Sequence, residues 1–361
     1  MLCIVSFVVL LVLSVFSARH RKLLRQSWGC IARRATFRAC DSSFADDVKT
    51  SLLAPLALRV PRLVRPASAG LTLAAWVTVL SLLLSGFVVA RGGLNLLAYG
   101  TCDKQNPQAC SLAADACSVM ADEPGFWASL TSGDVVGAVR DEATSLADTI
   151  STIPGRFRTW DAADFAPEHA SFVGGYREGL PTVLEVLDPG CVFCARLYRN
   201  IDEAGLSQHA NVTYIVYPIM RAGEPQFASS HLIARYLTAI RVVETSDDGA
   251  PADDPTDWAI LRHLFTGEKP GGMGWQAWFN DVASPAEAER QLQAWLTEAG
   301  YDDAAVAQIA ELSGSDQVAD LLEASRSTVE DEIRTVTIPT LIGGGGLHRG
   351  LVGVDELRSM R

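Results

Sequence analysis

The segment Pro181-Thr-Val-Leu-Glu-Val-Leu-Asp-Pro-Gly-Cys191-Val-Phe-Cys194-Ala-Arg-Leu-Tyr198 decides the fold. It opens with an apolar run rich in branched residues, passes through a Pro-Gly turn, and continues with two cysteines at the start of a helical pattern. The segment therefore predicts a strand that leads into a helix, with a Cys-x-x-Cys motif at the junction.

The position of this motif predicts thiol chemistry. The first turn of a helix has unpaired backbone N–H groups and the positive end of the helix dipole, so a thiolate there is stabilised and its pKa falls. Cys191 is thus predicted to be a nucleophile at neutral pH. Cys194 follows on the same helical face, where it can close a short disulfide or attack a mixed disulfide formed at Cys191.

An acidic residue interrupts the apolar strand. Glu185 lies between Val183-Leu184 and Val186-Leu187, where a buried and unpaired charge would be costly. Burial would raise the pKa of this carboxyl group toward neutrality and suit it to move protons for Cys194. The alternative is that Glu185 faces water on one side of the sheet.

Two apolar segments near the N-terminus predict transmembrane helices at residues 1–18 and 71–90. Leu2–Ala18 has 17 uncharged residues and Leu71–Ala90 has 20. The loop 19–70 between them holds 11 Lys or Arg against three acidic residues, so it should be cytoplasmic, and everything after Arg91 should lie outside the cytoplasmic membrane. For the first segment, a buried helix or a wrongly assigned start remains an alternative.

The remainder of the chain is strongly acidic. After position 90 there are 19 basic and 39 acidic residues. Such a balance repels phosphates and argues against a nucleic-acid partner. It is typical of a solubilising acidic surface.

Residues 91–177 are predicted to be a mainly helical extracytoplasmic region that contains Cys102, Cys110 and Cys117. A helix expected over 107–121 would place Cys110 and Cys117 about 10 Å apart along its axis, too far for a disulfide. We therefore expect a structural disulfide between Cys102 and either Cys110 or Cys117. The alternative is that one of these cysteines is a relay that exchanges with Cys191.

Residues 178–361 read as strands alternating with helices. A second strand is predicted at 211–217, and a helix follows it. The interval of about 223–333 is too long for one crossover and predicts a helical insertion with helices at 257–265, 275–279, 285–299, 302–312 and 316–333. Trp275, Trp278 and Trp295 are expected to pack the core of this insertion, with a peptide-binding surface as the alternative.

The last segment carries a proline before an apolar strand. Pro339 should lie where the strand begins, since proline inside a strand removes a ladder hydrogen bond, and the glycines at 343–346 predict a hairpin turn. His348 is interpreted as a surface residue rather than a ligand. The cysteine spacing does not support a closed four-ligand zinc site, and no cofactor or metal is implied.

This order of elements resembles the thioredoxin fold, an α/β fold, and with its helical insertion it is similar to the Dsb family (DsbA/DsbC-like) of extracytoplasmic thiol-disulfide oxidoreductases. The resemblance covers residues 178–361 and rests on Asp188-Pro-Gly-Cys191-Val-Phe-Cys194 and Ile338-Pro339-Thr340. It implies that Pro339 is a cis-proline facing the cysteine pair, that Ile338 and Thr340 help it to position an extended substrate, and that Glu185 is the family's buried carboxylate. The Val-Phe dipeptide differs from those of typical oxidants, isomerases and thioredoxins, so the direction of the reaction is not predicted.

The leading hypothesis is a membrane-tethered enzyme that makes, breaks or reshuffles disulfides of cysteine-containing exported proteins, with a membrane or soluble redox partner. Cys191 attacks, Cys194 resolves, Glu185 moves protons and Pro339 positions the substrate. One alternative is a metal-handling protein whose thiolates hold copper or zinc, with His348 as a possible third ligand. The other is a non-catalytic assembly adaptor that binds through its acidic surface and helical insertion.

Overall fold

The computed structural model describes residues 53, 58, 61–106, 115–119, 133, 135–246 and 249–360. The predicted span 1–18, most of the loop 19–70, and Cys110 lie outside these residues. The chain divides into two compact units, Met1–Arg91 and Gly92–Arg361.

Helix α1 (Val64–Tyr99) is the long apolar helix of the described chain. Its segment Leu80–Tyr99 is the one stretch within the described ranges that is long and apolar enough to cross a membrane. The predicted span 71–90 falls inside the same helix, so the apolar segment extends further toward the C-terminus than the sequence pattern indicated. The reason is that the residues after Arg91 are uncharged up to Asp103.

The C-terminal unit is built on a four-stranded mixed sheet. The strands of the described chain are β1 (Cys117–Ser118), β2 (Thr182–Leu187), β3 (Asn211–Val216), β4 (Met220–Arg221), β5 (Glu224–Pro225), β6 (Thr337–Ile338), β7 (Thr340–Gly343) and β8 (Gly346–Arg349). The sheet order is β3-β2-β7-β8, with β2 parallel to β3 and antiparallel to β7. This order, with a helix after β2 and a terminal helix after β8, is a thioredoxin-like α/β fold, as predicted.

The two parallel strands form the centre of the core. Thr182 pairs with Asn211 and Leu187 with Val216. Val183 to Leu187 have no exposed surface, and every residue of β3 is buried. Burial on both faces explains why these strands read as continuous apolar runs rather than alternating ones.

The glycine run makes the hairpin between β7 and β8. Gly343 pairs with Gly346, and the two residues between them, Gly344 and Gly345, have φ angles of +58° and +76°. A two-residue turn with positive φ at both positions matches the right-handed twist of the flanking strands and favours glycine. The hairpin prediction is confirmed.

The helices of the C-terminal unit lie before, between and after the strands. They are α2 (Val135–Thr152), α3 (Val192–Ala204), α4 (Ser230–Glu244), α5 (Thr256–Thr266), α6 (Trp275–Asp281), α7 (Pro285–Glu298), α8 (Asp303–Ser313), α9 (Asp316–Ser327) with a π-helical turn Thr328–Ile333, and α10 (Val354–Ser359). The five helices predicted for the insertion are therefore present, each within two residues of its predicted start. The last one changes to the π-helical turn near its end.

Local signals explain the insertion helices. At the start of α7, the Ser284 side chain accepts from the Glu287 N–H while the Glu287 carboxylate accepts from the Ser284 N–H, which is a complete capping box. The Trp275 ring packs edge-on against Trp278 and Trp295. Trp295 is 3% exposed, so the prediction that the tryptophans form a core is confirmed for this residue.

The helix predicted over 107–121 is wrong at its C-terminal end. Cys117 and Ser118 form strand β1, which pairs antiparallel with β6, Cys117 opposite Ile338 and Ser118 opposite Thr337. A two-residue strand is too short to show a periodicity, and its partner lies more than 200 residues away in the chain. Tertiary pairing therefore overrides the local pattern.

A buried ion pair joins helices α4 and α5. The Arg241 guanidinium donates to the Asp257 carboxylate at 2.7 Å, with both side chains buried. The Tyr214 hydroxyl and the Ser171 hydroxyl donate to the same carboxylate oxygen at 2.7 and 2.5 Å. Several donors around one carboxylate compensate the cost of desolvating its charge.

Candidate functional site

Cys191 caps the N-terminus of α3 at the end of the β2–α3 turn. Its backbone N–H donates to the Asp188 carbonyl at 3.0 Å, and its own carbonyl accepts from the N–H groups of Cys194 and Ala195. The residue has an extended conformation, and its side chain is fully buried. The Cys-x-x-Cys motif therefore lies at the junction of strand and helix, as predicted.

Cys191 forms a disulfide with Cys117, not with Cys194. The two Cα atoms are 6.7 Å apart, and 74 positions separate the residues in the chain. Cys194 is a free and buried thiol. Cys102 is also disulfide-bonded. Of the two pairings expected for Cys102, the one with Cys117 is thus wrong for this structure, because the β1–β6 pairing brings Cys117 to Cys191 instead.

The environment of Cys194 favours the protonated thiol. Its sulfur accepts from the Asp188 N–H at 3.4 Å. Desolvation by burial raises the pKa of Cys194 well above its usual value, and the charge of Glu185 raises it further, while the Asp188 N–H opposes the shift. A thiol of this kind needs a nearby base before it can act as a nucleophile.

Glu185 lies in the middle of β2 and is fully buried. In the register of the sheet it pairs with Tyr214 on β3 and with Leu341 on β7. Neither carboxyl oxygen has a hydrogen-bond partner within the described part of the chain. Desolvation by burial raises the pKa of Glu185 well above its usual value, so this carboxyl group can hold or release a proton beside Cys194.

Asp188 ties the turn to the rest of the fold, and sequence reasoning did not single it out. Its carboxylate accepts from the N–H groups of Gly190 and Ile219, both at 2.7 Å, and from the Ser230 hydroxyl. Desolvation by burial raises the pKa of Asp188 from 3.8 to about 6, although these hydrogen bonds oppose the shift. The signal in the sequence was an acidic residue at the end of a buried strand, directly before Pro189-Gly190.

Two amide side chains from the helical insertion also hold the turn. On α6, Gln276 donates to the carbonyls of Pro189 and Cys191 at 2.8 and 3.1 Å, and Asn280 donates to the Gly190 carbonyl at 2.9 Å. All three hydrogen bonds span more than 80 positions, so no local pattern could have revealed them. The insertion thus positions the cysteine motif.

Gly190 lets the insertion approach the turn closely. A Cβ atom at this position would lie 2.3 Å from the Phe227 Cβ. Contacts this short are excluded by sterics, so only glycine can occupy the turn in this arrangement.

The segment Ile338-Pro339-Thr340 lies beside Cys191. The Ile338–Pro339 peptide bond is cis, and the Ile338 carbonyl oxygen is 3.8 Å from the Cys191 sulfur. The Pro339 carbonyl accepts from the Gly350 N–H at 2.8 Å, and the Thr340 hydroxyl donates to the Thr337 carbonyl at 2.7 Å. These bonds fix the loop that joins β6 to β7 opposite the cysteine motif.

His348 contacts residues of its own sheet edge and the terminal helix. Its Nδ1 atom lies 2.9 Å from the Glu356 carboxylate, and its Nε2 atom lies 3.3 Å from the Gly343 carbonyl. Over the described ranges, no group of three or more His, Cys, Asp or Glu side chains is placed to hold a metal ion.

Comparison with known proteins found similarity only among solved structures. No family model matches the chain, and no curated protein matches it.

One similar structure is a thioredoxin-like oxidoreductase from Silicibacter pomeroyi DSS-3, with 18% identity, a TM-score of 0.36 and coverage of 53% of this chain and 89% of that chain. A second is the thiol-disulfide exchange protein alpha-DsbA2 from Wolbachia pipientis, with 15% identity, a TM-score of 0.36 and coverage of 61% and 95%. A third is MdbA, a thiol-disulfide oxidoreductase from Corynebacterium diphtheriae, with 16% identity, a TM-score of 0.34 and coverage of 50% and 88%. At this level of similarity, the activity of the chain has to be inferred from its own geometry.

Proposed function

We propose that the protein is a membrane-tethered thiol-disulfide oxidoreductase that acts on the disulfides of exported or envelope proteins. One observation carries the proposal. The Cys191 sulfur at the start of α3 is engaged in a disulfide with a cysteine from an extended strand, 3.8 Å from the Ile338 carbonyl and with a free Cys194 thiol behind it. This is the arrangement that a mixed disulfide with a substrate strand requires.

The exchange runs in two steps that conserve atoms and electrons. In the reducing direction, the Cys191 thiolate attacks one sulfur of a substrate disulfide, the Cys191–substrate bond forms, and the second substrate sulfur leaves as a thiolate. The Cys194 thiolate then attacks the Cys191 sulfur, and the first substrate sulfur leaves. The dithiol has given two electrons to the substrate, and the same steps in reverse oxidise a substrate dithiol.

Glu185 is assigned the proton transfer at Cys194. The buried thiol must lose its proton before it attacks, and the neighbouring carboxyl group has a pKa raised by burial. A carboxylate there accepts the Cys194 proton in the reducing direction and returns it in the oxidising direction.

Pro339 and its neighbours are assigned the positioning of the substrate. The edge formed by Thr337 and Ile338 accepts an antiparallel strand, as its pairing with β1 demonstrates. Main-chain pairing of this kind gives affinity with little dependence on the substrate's sequence. Thr340 supports the loop from beneath through its bond to the Thr337 carbonyl.

The tether places this chemistry outside the cytoplasmic membrane. The apolar segment Leu80–Tyr99 and the predicted first span at 1–18 enclose a basic loop, and the positive-inside rule directs that loop to the cytoplasm. The C-terminal unit then faces exported proteins, and a membrane or soluble redox partner restores the Cys191-Cys194 pair.

The test is disulfide exchange by the full chain in detergent micelles. The reduced protein is mixed with a peptide that contains one disulfide, and the release of peptide thiols is followed. We expect Cys191→Ala to reduce the rate to that of the buffer. We expect Cys117→Ser/Cys194→Ala, which has neither neighbouring thiol, to stop after forming a peptide adduct on Cys191 that mass spectrometry detects. A Cys191→Ala variant that keeps the wild-type rate would exclude the proposal.

A further inference from the structure

A short stretch of the chain lies across the cysteine motif as a substrate would. Residues 115–119, the capping segment, contain strand β1, in which Cys117 is opposite Ile338 and Ser118 is opposite Thr337. The Val119 N–H extends the ladder by donating to the Val336 carbonyl at 3.1 Å. The segment therefore uses the strand edge that leads into Pro339.

The capping segment is anchored along its whole length. The Asp115 carbonyl accepts from the Leu351 N–H at 3.0 Å, and its carboxylate lies 3.7 Å from the Arg196 guanidinium on α3. Ala116 is buried at 1% exposure, and the Ser118 hydroxyl donates to the Lys104 carbonyl at 2.6 Å. These contacts hold the segment in place independently of the disulfide.

The same edge cannot pair with two strands at once. Both residues of β6 are paired with β1, so an incoming peptide must displace β1 before it can pair with Thr337 and Ile338 on the same edge. The Cys191 sulfur is likewise blocked, since it is fully buried beneath the segment. The segment occupies both the sulfur and the strand edge that a substrate needs.

We propose that Cys117 is a third redox cysteine of the centre, delivered by a built-in substrate strand and exchanging with the Cys191-Cys194 pair. The proposal rests on the proposed function, because it requires Cys191 to be an exchanging sulfur. The capping segment then acts as an internal substrate, and an exported protein binds at β6 by displacing residues 115–119.

The exchange moves a disulfide without net oxidation or reduction. The Cys194 thiolate attacks the Cys191 sulfur, the Cys191–Cys194 bond forms, the Cys117–Cys191 bond breaks, and Cys117 leaves as a thiolate. The proton lost by Cys194 goes to Glu185 and is matched by a proton that Cys117 takes from solvent. The centre thus has two oxidised isomers, one with Cys117 bound and one with Cys117 released.

Tethering gives Cys117 an advantage over free thiols. A reactive group held on the same chain reaches an effective concentration on the order of millimolar when the connection allows the two groups to meet, and the pairing of β1 with β6 keeps Cys117 at Cys191. Exported substrates at micromolar concentration can therefore compete only when their own strands pair better with β6 than the capping segment does.

The experiment compares Cys194→Ala with Cys117→Ser/Cys194→Ala, both as full chains in detergent. Each is equilibrated with glutathione buffers of constant ratio and increasing total concentration, quenched in acid and digested, and the state of Cys191 is read by mass spectrometry. In Cys194→Ala we expect a Cys117–Cys191 linked peptide, replaced by glutathionylated Cys191 only at millimolar glutathione. In the double variant, the glutathionylated fraction of Cys191 should depend on the buffer ratio alone, and should therefore already be reached at micromolar glutathione and stay constant as the total concentration rises. Equal glutathionylation in both, with no linked peptide, would overturn the proposal.

A matched pair of variants tests delivery by the strand. Val119→Pro removes the N–H that donates to Val336, while Val119→Ala keeps it. The quantity compared is the total glutathione concentration at which glutathionylated Cys191 replaces the Cys117–Cys191 disulfide. In the Cys194→Ala background, Val119→Pro should lower this concentration by at least tenfold, and Val119→Ala should leave it within twofold. An unchanged value for Val119→Pro would exclude strand delivery.

Failure of this inference is distinct from failure of the proposed function. If Cys117 takes no part, Cys117→Ser still closes a Cys191–Cys194 disulfide and still exchanges with the peptide disulfide at the wild-type rate. If the proposed function fails, Cys191 reacts with neither glutathione nor peptide in any variant.

Discussion

The two flanks of Cys191 differ in almost every physical respect. On the inner flank, Glu185, Asp188 and Cys194 have no exposed surface, and burial raises the pKa of each. On the outer flank, Cys117 is partly exposed, and the Asp115–Arg196 contact involves side chains that are about half exposed. The inner flank sets the protonation of the Cys194 thiol, while the outer flank determines which sulfur forms a disulfide with Cys191.

The difference follows from what each flank has to do. Proton transfer at a thiol benefits from a low-dielectric environment. There the charged forms of the thiol and of the carboxyl group are both disfavoured, and the electrostatic interaction between the two groups is strong. Partner exchange requires the opposite, a surface whose contacts are individually weak enough to be replaced. Changes on the inner flank should therefore have large effects on stability and rate, and changes on the outer flank small effects on stability.

The largest effect is expected from Asp188→Asn. The pKa of Asp188 is about 6 in the folded chain and 3.8 when unfolded, so the folded state binds the proton more tightly. This stabilisation is complete below pH 3.8 and is lost as the pH rises through 6, which amounts to about 3 kcal/mol. Chemical denaturation at pH 4 and pH 7 should show this loss in the wild type and a flatter pH dependence in Asp188→Asn.

Glu185 titrates in both proteins, so the difference between them isolates Asp188. The variant should be less stable than the wild type at either pH, because an amide cannot accept all three hydrogen bonds. An identical pH dependence in the two proteins would contradict the assignment of a buried, titrating carboxyl group at this position.

Glu185→Gln should slow the resolving step with little change at Cys191. The amide keeps the size of the side chain but cannot take the Cys194 proton, and general-base assistance contributes about 100-fold to such steps. In the Cys117→Ser background, where Cys194 is the neighbouring thiol that can resolve the adduct, we expect a peptide adduct on Cys191 to accumulate and to resolve about 100-fold more slowly at pH 7, as measured by quenched-flow mass spectrometry.

The control for Glu185→Gln is the pH dependence of resolution. In the variant, the rate of adduct resolution should rise with pH because solvent hydroxide increasingly deprotonates Cys194. The difference in rate from the wild type should therefore shrink at high pH. A variant that resolves the adduct at the wild-type rate at pH 7 would remove Glu185 from the mechanism.

Gly190→Ala should destabilise the inner flank through sterics. The new Cβ would lie 2.3 Å from the Phe227 Cβ, and overpacking of this kind costs about 2 kcal/mol. Thermal or chemical unfolding measures the loss. The matched control is the Phe227→Gly background, in which Gly190→Ala should cost much less because the Phe227 Cβ atom and its ring are both absent. An equal loss in the free energy of unfolding in both backgrounds would show that the clash with Phe227 is not the cause of the destabilisation.

Much of the inner flank could be predicted from the sequence because its signals are local. The strand at β2, the cysteines at the start of α3, and the insertion helices follow from apolar runs, turn residues and caps within a few positions. The burial of Glu185 could be proposed because its charge interrupts an apolar run. Pro339 could be placed beside the motif only through the family resemblance.

The outer flank could not be predicted because its contacts are distant in the chain. Cys117 meets Cys191 across 74 positions through a two-residue strand that has no periodicity, and the local pattern around it favoured a helix. The amides of Gln276 and Asn280 were missed for the same reason. The sequence offered, as an alternative, that one of the three upstream cysteines exchanges with Cys191. Only the structure identifies Cys117 as the cysteine that reaches the Cys191 sulfur.

The smallest effect is expected from Asp115→Asn on the outer flank. The change removes the charge that faces Arg196 but keeps the carbonyl that accepts from the Leu351 N–H. Because both side chains are about half exposed, the ion pair contributes less than about 1 kcal/mol, and the free energy of unfolding should barely change. In the Cys194→Ala background, the glutathione concentration that displaces Cys117 should fall by no more than about fivefold, since a loss of 1 kcal/mol corresponds to roughly that factor. This shift should be smaller at high salt, where the wild-type pair is itself screened. A loss of stability as large as that from Gly190→Ala would show that the capping segment is a fixed part of the core, and the contrast between a rigid inner flank and a replaceable outer flank would then fail.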